Sequence, residues 1–321
     1  MEYISKDLEY RQGTPSVITL GKFDGLHKGH ELIIEKQKEL CSLYNYKSIV
    51  FTFDIPPKPG VDKSMTKVIT SNDEKKIVFE RNGIDILFEC PFIKEIMCMK
   101  PEEFIKWIVD KFNVKYFVVG TDCGFGHKRS GNYHTLQQYS SYYDYDVIVM
   151  DKKQYRGRDI SSTYIREELE NGNIELVNEL LGYDYFIKGK IVHGKKLGRT
   201  IGIPTINMNI PQEKMLPPKG VYITKVLVDD MWYMGVSNIG NKPTVGNNNP
   251  LGLETYIIDF CQDIYGKDVT VEFLEFLRPE MKFDSIDALK DQMNNDIAIT
   301  CKYYRNITKN IDITNLRWYT V

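Results

Sequence analysis

The hydrophobic runs of this chain follow two patterns, and the change between them constrains the fold more than any other feature. Between residues 17 and 150, short β-rich runs alternate with stretches of helical spacing. These runs are Val17–Leu20, Ser48–Phe53, Ile84–Phe88, Tyr116–Gly120 and Asp146–Met150. Alternating strands and helices need crossover connections, which predict a parallel sheet covered by helices on both faces. We therefore expect a doubly wound α/β domain in the first half.

In the second half, strand-like runs follow one another without intervening helices. They are Tyr185–Val192, Val221–Val228, Trp232–Ile239, Leu253–Phe260 and Val269–Leu277. Asp229-Asp230, between two of them, is typical of a hairpin turn, and a long helix is expected over about residues 285–304. This pattern predicts a small antiparallel β-barrel with a terminal helix. We place the domains at residues 1–183 and 184–321.

Two helix starts in the first half can be placed from local signals. Ser71-Asn-Asp-Glu74 fits a capping box, in which the serine and the glutamate each bind a backbone N–H of the other. Pro101, followed by two glutamates, fits the first turn of another helix. We expect helices to begin at both places.

Composition excludes several classes of protein. The 321 residues include 42 basic and 44 acidic ones, a formal charge of −2, which argues against a nucleic-acid binder with a broad basic face. No apolar run approaches the roughly 20 residues needed to span a bilayer, and the N-terminus lacks a signal-peptide pattern. The six cysteines form no C-x-x-C pair. We expect a cytoplasmic protein that binds neither membrane nor nucleic acid.

The ten residues Gly21–His30 carry the clearest chemical signal. They follow an apolar run and lead into a helix, with His27 and His30 three residues apart. Helix N-termini hold phosphate, and glycines such as Gly25 let the backbone come close to a ligand. A single histidine is often only structural. Two of them at the carboxyl end of a parallel strand, where ligands bind in such sheets, favour phosphate chemistry.

Two further segments are expected at the same edge of the sheet. Residues 119–132 are rich in glycine and contain Asp122, Lys128 and Arg129. Residues 158–166 contain the hydroxyls of Ser162 and Thr163, with Arg166 one turn later. The first segment is equally compatible with a solvated loop, and Ser162 or Thr163 with a simple helix cap. Together with the histidine segment, they are suited to binding a triphosphate.

In the second half, residues 192–207 form the chemical segment. Gly194, Gly198 and Gly202 are interspersed with Lys195, Lys196 and Arg199, a composition that can wrap phosphates although it is not a P-loop. Thr205 and Asn207 would share one face of a strand and offer oxygen atoms to Mg²⁺. A surface glycine loop ending in a Pro-Thr turn is the alternative.

These motifs, taken in order, resemble a known family. Gly-x-Phe-Asp-Gly-x-His-x-Gly-His, Val-Gly-x-Asp-x-x-Phe-Gly-x-x-Arg-x-Gly and Ile-Ser-Ser-Thr-x-Ile-Arg resemble the adenylyltransferase module of bacterial bifunctional riboflavin kinase/FMN adenylyltransferases. Gly-Arg-x-x-Gly-x-Pro-Thr-x-Asn, Leu-Glu-Thr-Tyr and Leu-Arg-Pro-Glu-Met-Lys-Phe, in the second half, resemble the riboflavin kinase module. The resemblance spans almost the whole chain and implies synthesis of FMN from riboflavin and ATP, then of FAD from FMN and a second ATP.

The resemblance also implies roles for single residues. Glu254 occupies the position of the catalytic base of the kinase, and Thr205 and Asn207 those of the Mg²⁺ and nucleotide ligands. His27 and His30 would stabilise phosphate charge during adenylyl transfer. The phosphate- and nucleotide-binding positions are Gly25, Asp122, Ser162, Thr163, Arg166, Gly198 and Gly202.

The chain departs from the family pattern at two places in its first half. Ile55 and Pro56 stand where the family usually has Pro-His, and Cys123-Gly124 stands where an aromatic and a larger residue are expected. Two alternatives therefore stay open beside the two-step enzyme: a riboflavin kinase with a weakened adenylyltransferase domain, and a non-catalytic flavin-binding regulator. We expect a monomer or a weak homo-oligomer.

Overall fold

The computed structural model describes residues 1–54, 67–194, 198, 202–241 and 251–309 of the chain. It divides into two compact units, Met1–Tyr164 and Ile165–Val321. The predicted boundary after residue 183 stays a prediction. Ile55 and Pro56, as well as Lys195, Lys196 and Arg199, lie outside the described residues.

The first unit is built on a six-stranded parallel sheet. Its strands are β1 (Glu2–Ser5), β2 (Ser16–Leu20), β3 (Lys47–Asp54), β4 (Ile86–Pro91), β5 (Val114–Gly120) and β6 (Asp146–Met150). They lie in the order β1-β4-β3-β2-β5-β6 and every neighbouring pair is parallel. The winding changes direction at β2, between β3 and β5, so ligand binding is expected at the carboxyl end of β2.

The helices of this unit cover both faces of the sheet. They are α1 (Lys28–Tyr44), α2 (Asn72–Arg81), α3 (Lys94–Met97), α4 (Pro101–Phe112) and α5 (Tyr133–Tyr143). A short ribbon of β7 (Gln154–Tyr155) and β8 (Arg158–Asp159) precedes α6 (Ser162–Glu170), which begins in this unit and continues past its last residue. One face buries an aromatic cluster that includes Phe51 and Phe112, and Ile33 packs under the other. The doubly wound fold is confirmed.

The local sequence signals correctly predicted the starts of α2 and α4. The capping box of α2 is present, since Ser71 Oγ accepts from the Glu74 N–H and a Glu74 carboxylate oxygen accepts from the Ser71 N–H at 2.8 Å. Pro101 is the first residue of α4. The alternative interpretation of Ser162 or Thr163 as a helix cap is wrong, because Ser161 accepts the Tyr164 N–H at 3.2 Å and acts as the cap of α6.

The second unit is a closed antiparallel barrel of six strands, preceded by α7 (Ile174–Leu181). Its strands are β9 (Phe186–Val192), β10 (Thr205–Asn209), β11 (Gly220–Val228), β12 (Met231–Asn241), β13 (Leu251–Ile257) and β14 (Asp268–Arg278). They close in the order β10-β13-β12-β11-β14-β9. Asp229 and Asp230 both have positive φ and join β11 to β12, which confirms the hairpin.

A terminal helix packs against the outside of this barrel. This helix, α8 (Ile286–Lys309), lies beside β12, and the Tyr304 hydroxyl donates to the Thr224 carbonyl at 2.9 Å. Asp296 on α8 accepts the Arg278 guanidinium in a bidentate pair, with its Nε at 3.0 Å and its Nη2 at 2.7 Å. The predicted barrel with a terminal helix is confirmed. No helix in the described part of the chain is long and apolar enough to cross a membrane.

Two candidate active sites

The histidine segment lies at the carboxyl end of β2, where the direction of sheet winding changes. Its backbone is fixed by the neighbouring loop, since the Asp24 carboxylate accepts the Ile69 N–H at 2.8 Å and the Thr70 N–H at 3.2 Å. The Gly25 N–H donates to Thr70 Oγ1 at 3.0 Å. Gly25 has a φ of 64°, and a Cβ there would lie 2.8 Å from Ile69 Cγ2. Glycine is therefore required at this turn.

His27 and His30 form a stacked pair at the start of α1. Their ring centroids are 3.8 Å apart and the rings are inclined by 19°. Phe23 packs edge-on against His30 at 5.1 Å, and a Cβ on Gly29 would lie only 3.0 Å from His27 Nδ1. His27 is the N-cap residue of α1, but its side chain makes no capping hydrogen bond. Its ring is therefore held by packing and left available for a ligand at the helix N-terminus.

Burial keeps both imidazoles neutral. Burial, together with the smaller effect of the adjacent His30 ring, lowers the pKa of His27 to about 2. Burial also lowers the pKa of His30 to about 4, partly offset by the Asp122 carboxylate. The Nδ1 atoms of both rings are buried without a hydrogen-bond partner among the residues that the structure describes. At neutral pH these side chains act as hydrogen-bond donors and acceptors rather than as cations.

The start of α6 approaches the same loop. The Ser162 hydroxyl donates to the Asp24 carbonyl at 2.8 Å, which ties the helix start to the histidine segment. Thr163 is exposed. Arg166 follows Ser162 by four residues on α6 and therefore lies on the same side of the helix. Of the three predicted positions, the structure brings Ser162 directly to the histidine segment.

The loop after β5 lies beside β2 at the same edge of the sheet. The Asp122 side chain is 73% exposed, with Lys152 Nζ 3.8 Å from its carboxylate. Arg129 crosses this loop and donates to the Asp122 carbonyl at 3.3 Å. A Cβ on Gly124 would lie 2.8 Å from Arg129 Nε. The small residue at position 124 thus leaves room for the guanidinium of Arg129.

In the second unit, the pairing of strands β10, β13 and β12 places the predicted kinase residues next to one another. Asn207 on β10 and Asn238 on β12 are both cross-strand partners of Glu254 on β13. Thr205 precedes Asn207 by two residues and therefore lies on the same face. Residues 253, 255 and 257 of β13 are buried while 254 and 256 are partly exposed, so this row lies on the outer face of the barrel.

Glu254 borders a cavity of about 250 Å³ between this outer face and α8. Thr205, Asn238 and Glu254 supply polar groups, and apolar side chains such as Phe283 and Met293 supply much of the remaining wall. A second cavity of about 350 Å³ has a wall that includes Ile206, Phe260 and Tyr265. Thr205 lines both cavities.

The glycine segment approaches these strands closely. A Cβ on Gly194 would lie 2.3 Å from Asn207 Nδ2, and one on Gly198 would lie 2.2 Å from the Ile203 carbonyl oxygen. The Ile203 N–H donates to the Gly198 carbonyl at 2.8 Å, and Gly202 has a φ of 79°. Gly194 and Gly198 therefore bring their backbone close to Asn207 and Thr205, respectively.

Comparison with known proteins identifies the family. The FAD synthetase model matches residues 10–164, and the riboflavin kinase model matches residues 181–304. The bifunctional riboflavin kinase/FMN adenylyltransferase of Bacillus subtilis is 35% identical over 92% of this chain and 94% of its own length. That of Listeria monocytogenes is 32% identical over 91% of this chain and 93% of its own. The chain belongs to the bifunctional riboflavin kinase/FMN adenylyltransferase family.

A solved structure of similar fold carries a different description. A Streptococcus pneumoniae chain described as a macrolide-efflux protein is 30% identical, with a TM-score of 0.81 over 94% of this chain and 99% of its own. The folds of both halves of this chain are therefore present together in one chain of known structure. The efflux description concerns that protein.

Family membership makes this chain a transferase whose substrates are ATP and flavins, but sequence reasoning missed two features of its sites. Asn238 was given no role, because only the register of β12 with β13 shows that it lies opposite Glu254. The pair of Arg278 and Asp296 was missed because its members lie on different elements.

Cys123 stands where the family pattern has an aromatic residue. Burial raises the pKa of the Cys123 thiol to about 12, so this substitution supplies no thiolate nucleophile at neutral pH.

Proposed function

We propose that the two reactions of this flavin-synthesising enzyme use separate sites, with Glu254 serving phosphoryl transfer and the His27/His30 pair serving adenylyl transfer. The observation that carries the proposal is the register of the barrel, which sets Glu254 beside Asn207 and on the same face as Thr205. Glu254, Thr205 and Gly198 line one cavity, and Asn207 lies beside Gly194 of the same glycine segment.

In the kinase reaction, Glu254 accepts the proton of the riboflavin 5′-hydroxyl as that oxygen attacks the γ-phosphorus of ATP. The bond between the γ-phosphorus and the bridging oxygen breaks, and ADP leaves. A positioned general base of this kind contributes about 10²- to 10⁴-fold. Glu254 is suited to the role because it lines the cavity that would hold the acceptor hydroxyl.

Thr205 and Asn207 fit a role in holding Mg²⁺. A hydroxyl and a carboxamide are neutral oxygen donors, and Mg²⁺ commonly combines one or two protein ligands with water and phosphate oxygens. When bound, the ion would neutralise charge on the phosphates. Thr205 and Asn207 would orient it next to Glu254, and the close approach of Gly194 to Asn207 brings backbone N–H groups to the same place.

The two cavities suggest where each substrate lies. The cavity beside Glu254 must receive the flavin, because the attacking hydroxyl has to reach that carboxylate. The second cavity offers aromatic and aliphatic surface for an adenine ring, including Tyr265, whose ring lies 3.9 Å from that of His193. Since Thr205 borders both cavities, the phosphates of ATP would extend past Thr205 from the second cavity towards the flavin.

In the adenylyltransferase reaction, an oxygen of the FMN phosphate attacks the α-phosphorus of ATP and pyrophosphate leaves. The attacking phosphate is already an anion, so positioning and charge stabilisation dominate. A buried N–H without an acceptor is costly, so the proton of neutral His27 belongs on Nε2 rather than on its unpartnered Nδ1. Nε2–H would then donate to phosphate at the N-terminus of α1, and His30 would hold that ring by stacking.

Further parts of the proposal follow from the same assignments. Gly25 would admit the phosphates, with Ser162, Thr163, Arg166 and Asp122 contacting the nucleotide, and Gly198 and Gly202 would shape the phosphate segment of the kinase. Residues 1–183 would form the adenylyltransferase module and residues 184–321 the kinase module. The enzyme would work in the cytoplasm as a monomer or weak homo-oligomer, without nucleic-acid partners.

The direct test is product analysis. The protein is incubated with riboflavin, ATP and Mg²⁺, and the flavins are separated by chromatography. The proposal predicts FMN followed by FAD, and a Glu254→Gln variant that forms neither from riboflavin. Accumulation of FMN alone would indicate a weakened adenylyltransferase, and unchanged riboflavin would indicate a non-catalytic flavin-binding protein.

A further inference from the structure

Glu254 lies between two asparagines in adjacent strands. Asn207 is its partner on β10 and Asn238 its partner on β12. Directly opposed residues of antiparallel strands point to the same face, with Cβ atoms about 5 Å apart. Both carboxamides are therefore within reach of a group that binds to Glu254.

The two asparagines have different surroundings. Asn207 packs against Gly194 in the glycine segment, the side on which phosphates are expected. Asn238 instead borders the cavity that also contains Phe283 and Met293. The row from Asn207 through Glu254 to Asn238 therefore leads from the phosphate side of the site to the flavin side.

The carboxamide of Asn238 is available for a ligand. It makes no hydrogen bond to any residue in the described part of the chain, and a Cβ on Gly240 would lie 3.1 Å from its Nδ2. A side chain at position 240 would therefore crowd this carboxamide. A neutral carboxamide both donates and accepts, which suits a hydroxyl group. Because Asn238 lies opposite Glu254, it is nearer to the ribityl hydroxyls next to the reacting 5′-hydroxyl than to the polar edge of the flavin ring.

We infer that Asn238 is a specificity-determining residue of the kinase site, whose carboxamide binds a hydroxyl of the ribityl chain of riboflavin. The inference rests on the proposed function of Glu254. The ribityl chain joins the ring in the apolar part of the cavity to the 5′-hydroxyl at Glu254, so its hydroxyls pass the position next to that carboxylate. Asn238 occupies this position and selects flavins that carry a polyol.

The test compares two flavins that share a ring system. Riboflavin carries the ribityl chain, whereas lumiflavin carries a methyl group in its place. Dissociation constants of both are measured by flavin fluorescence for the full-length protein, Asn238→Leu and Asn238→Ala. We expect both substitutions to weaken riboflavin binding about tenfold, the effect of one hydrogen bond, and to leave lumiflavin binding within twofold.

Val236 provides the matched control, since it lies on the same strand and lines the same cavity. Val236→Ala should weaken the binding of both flavins by a similar factor, because Val236 contributes only apolar contact with the ring. Equal losses for both flavins in the Asn238 variants, or no loss for either, would overturn the inference. Retained lumiflavin binding shows that the variants are folded. Full phosphorylation by Glu254→Gln would instead refute the proposed function.

Discussion

Acidification should destabilise the first unit through the His27/His30 pair, and His30 allows the size of the effect to be worked out. Its pKa is about 4 in the folded protein, against about 6.5 for an exposed histidine. Because the folded-state value is the lower one, the unfolded chain binds the proton more tightly. The stability that His30 contributes is complete above about pH 7.5 and is lost as the pH falls below 6.5. The loss is about 0.8 kcal/mol at pH 6 and about 2 kcal/mol at pH 5.

The assay is urea unfolding at pH 7.5, 6 and 5 for the protein and for His30→Gln. Replacing Trp232 and Trp318 by Phe leaves Trp107 as the fluorophore, and this residue packs in the first unit against Phe51. The free energy of unfolding should fall by about 2 kcal/mol more in the parent than in His30→Gln between pH 7.5 and 5.

A control variant separates burial from simple loss of a histidine. His134→Gln removes an exposed histidine of α5 and should leave the pH dependence of unfolding as in the parent. If His30→Gln and the parent lose stability in parallel down to pH 5, the neutral, buried state assigned to His30 is wrong.

Three further predictions concern single side chains. Gly29→Ala would place a Cβ 3.0 Å from His27 Nδ1, so it should slow FAD formation from FMN at least tenfold without changing FMN formation, as measured by chromatography. Asp296→Ala would leave the Arg278 guanidinium unpaired in a mostly buried position, so it should lower the free energy of unfolding by about 3 kcal/mol in urea; a loss below about 1 kcal/mol would contradict this. Thr205→Ala should raise the Mg²⁺ concentration needed for FMN formation about tenfold, while an unchanged Mg²⁺ requirement would remove Thr205 from the metal site.

The fold class and most elements were predictable because they depend on local periodicity and on local start signals. Alternation of strands and helices identified the parallel sheet, and consecutive strand-like runs without helices, with a hairpin at Asp229-Asp230, identified the antiparallel barrel. β1 was missed, so Val17–Leu20 lies in the second strand rather than the first. This edge strand has four residues and pairs only with β4, too short a run to show a period. β10 was not among the strand-like runs, although Thr205 and Asn207 were expected to share a strand face, because polar residues at its partly exposed positions conceal an apolar pattern.

The sites were only partly predictable, because their geometry depends on long-range pairing. The motifs named Glu254 and Thr205, but only the register of three strands shows that Asn238 lies beside Glu254. Similarly, the spacing of His27 and His30 predicted phosphate chemistry and left their charge open. Their neutral state arises from burial beneath Phe23 and around Gly29, which no local pattern in the sequence encodes.

The central claim is that each module performs one reaction at its own site, and complementary variants test it most directly. His30→Ala and Glu254→Gln are each supplied with ATP and Mg²⁺, with either riboflavin or FMN, and the flavins are separated by chromatography. The account predicts that His30→Ala forms FMN at a near-normal rate but no FAD, whereas Glu254→Gln forms no FMN but converts added FMN to FAD. Loss of both activities in either folded variant, or retention of the activity assigned to the replaced residue, would contradict it.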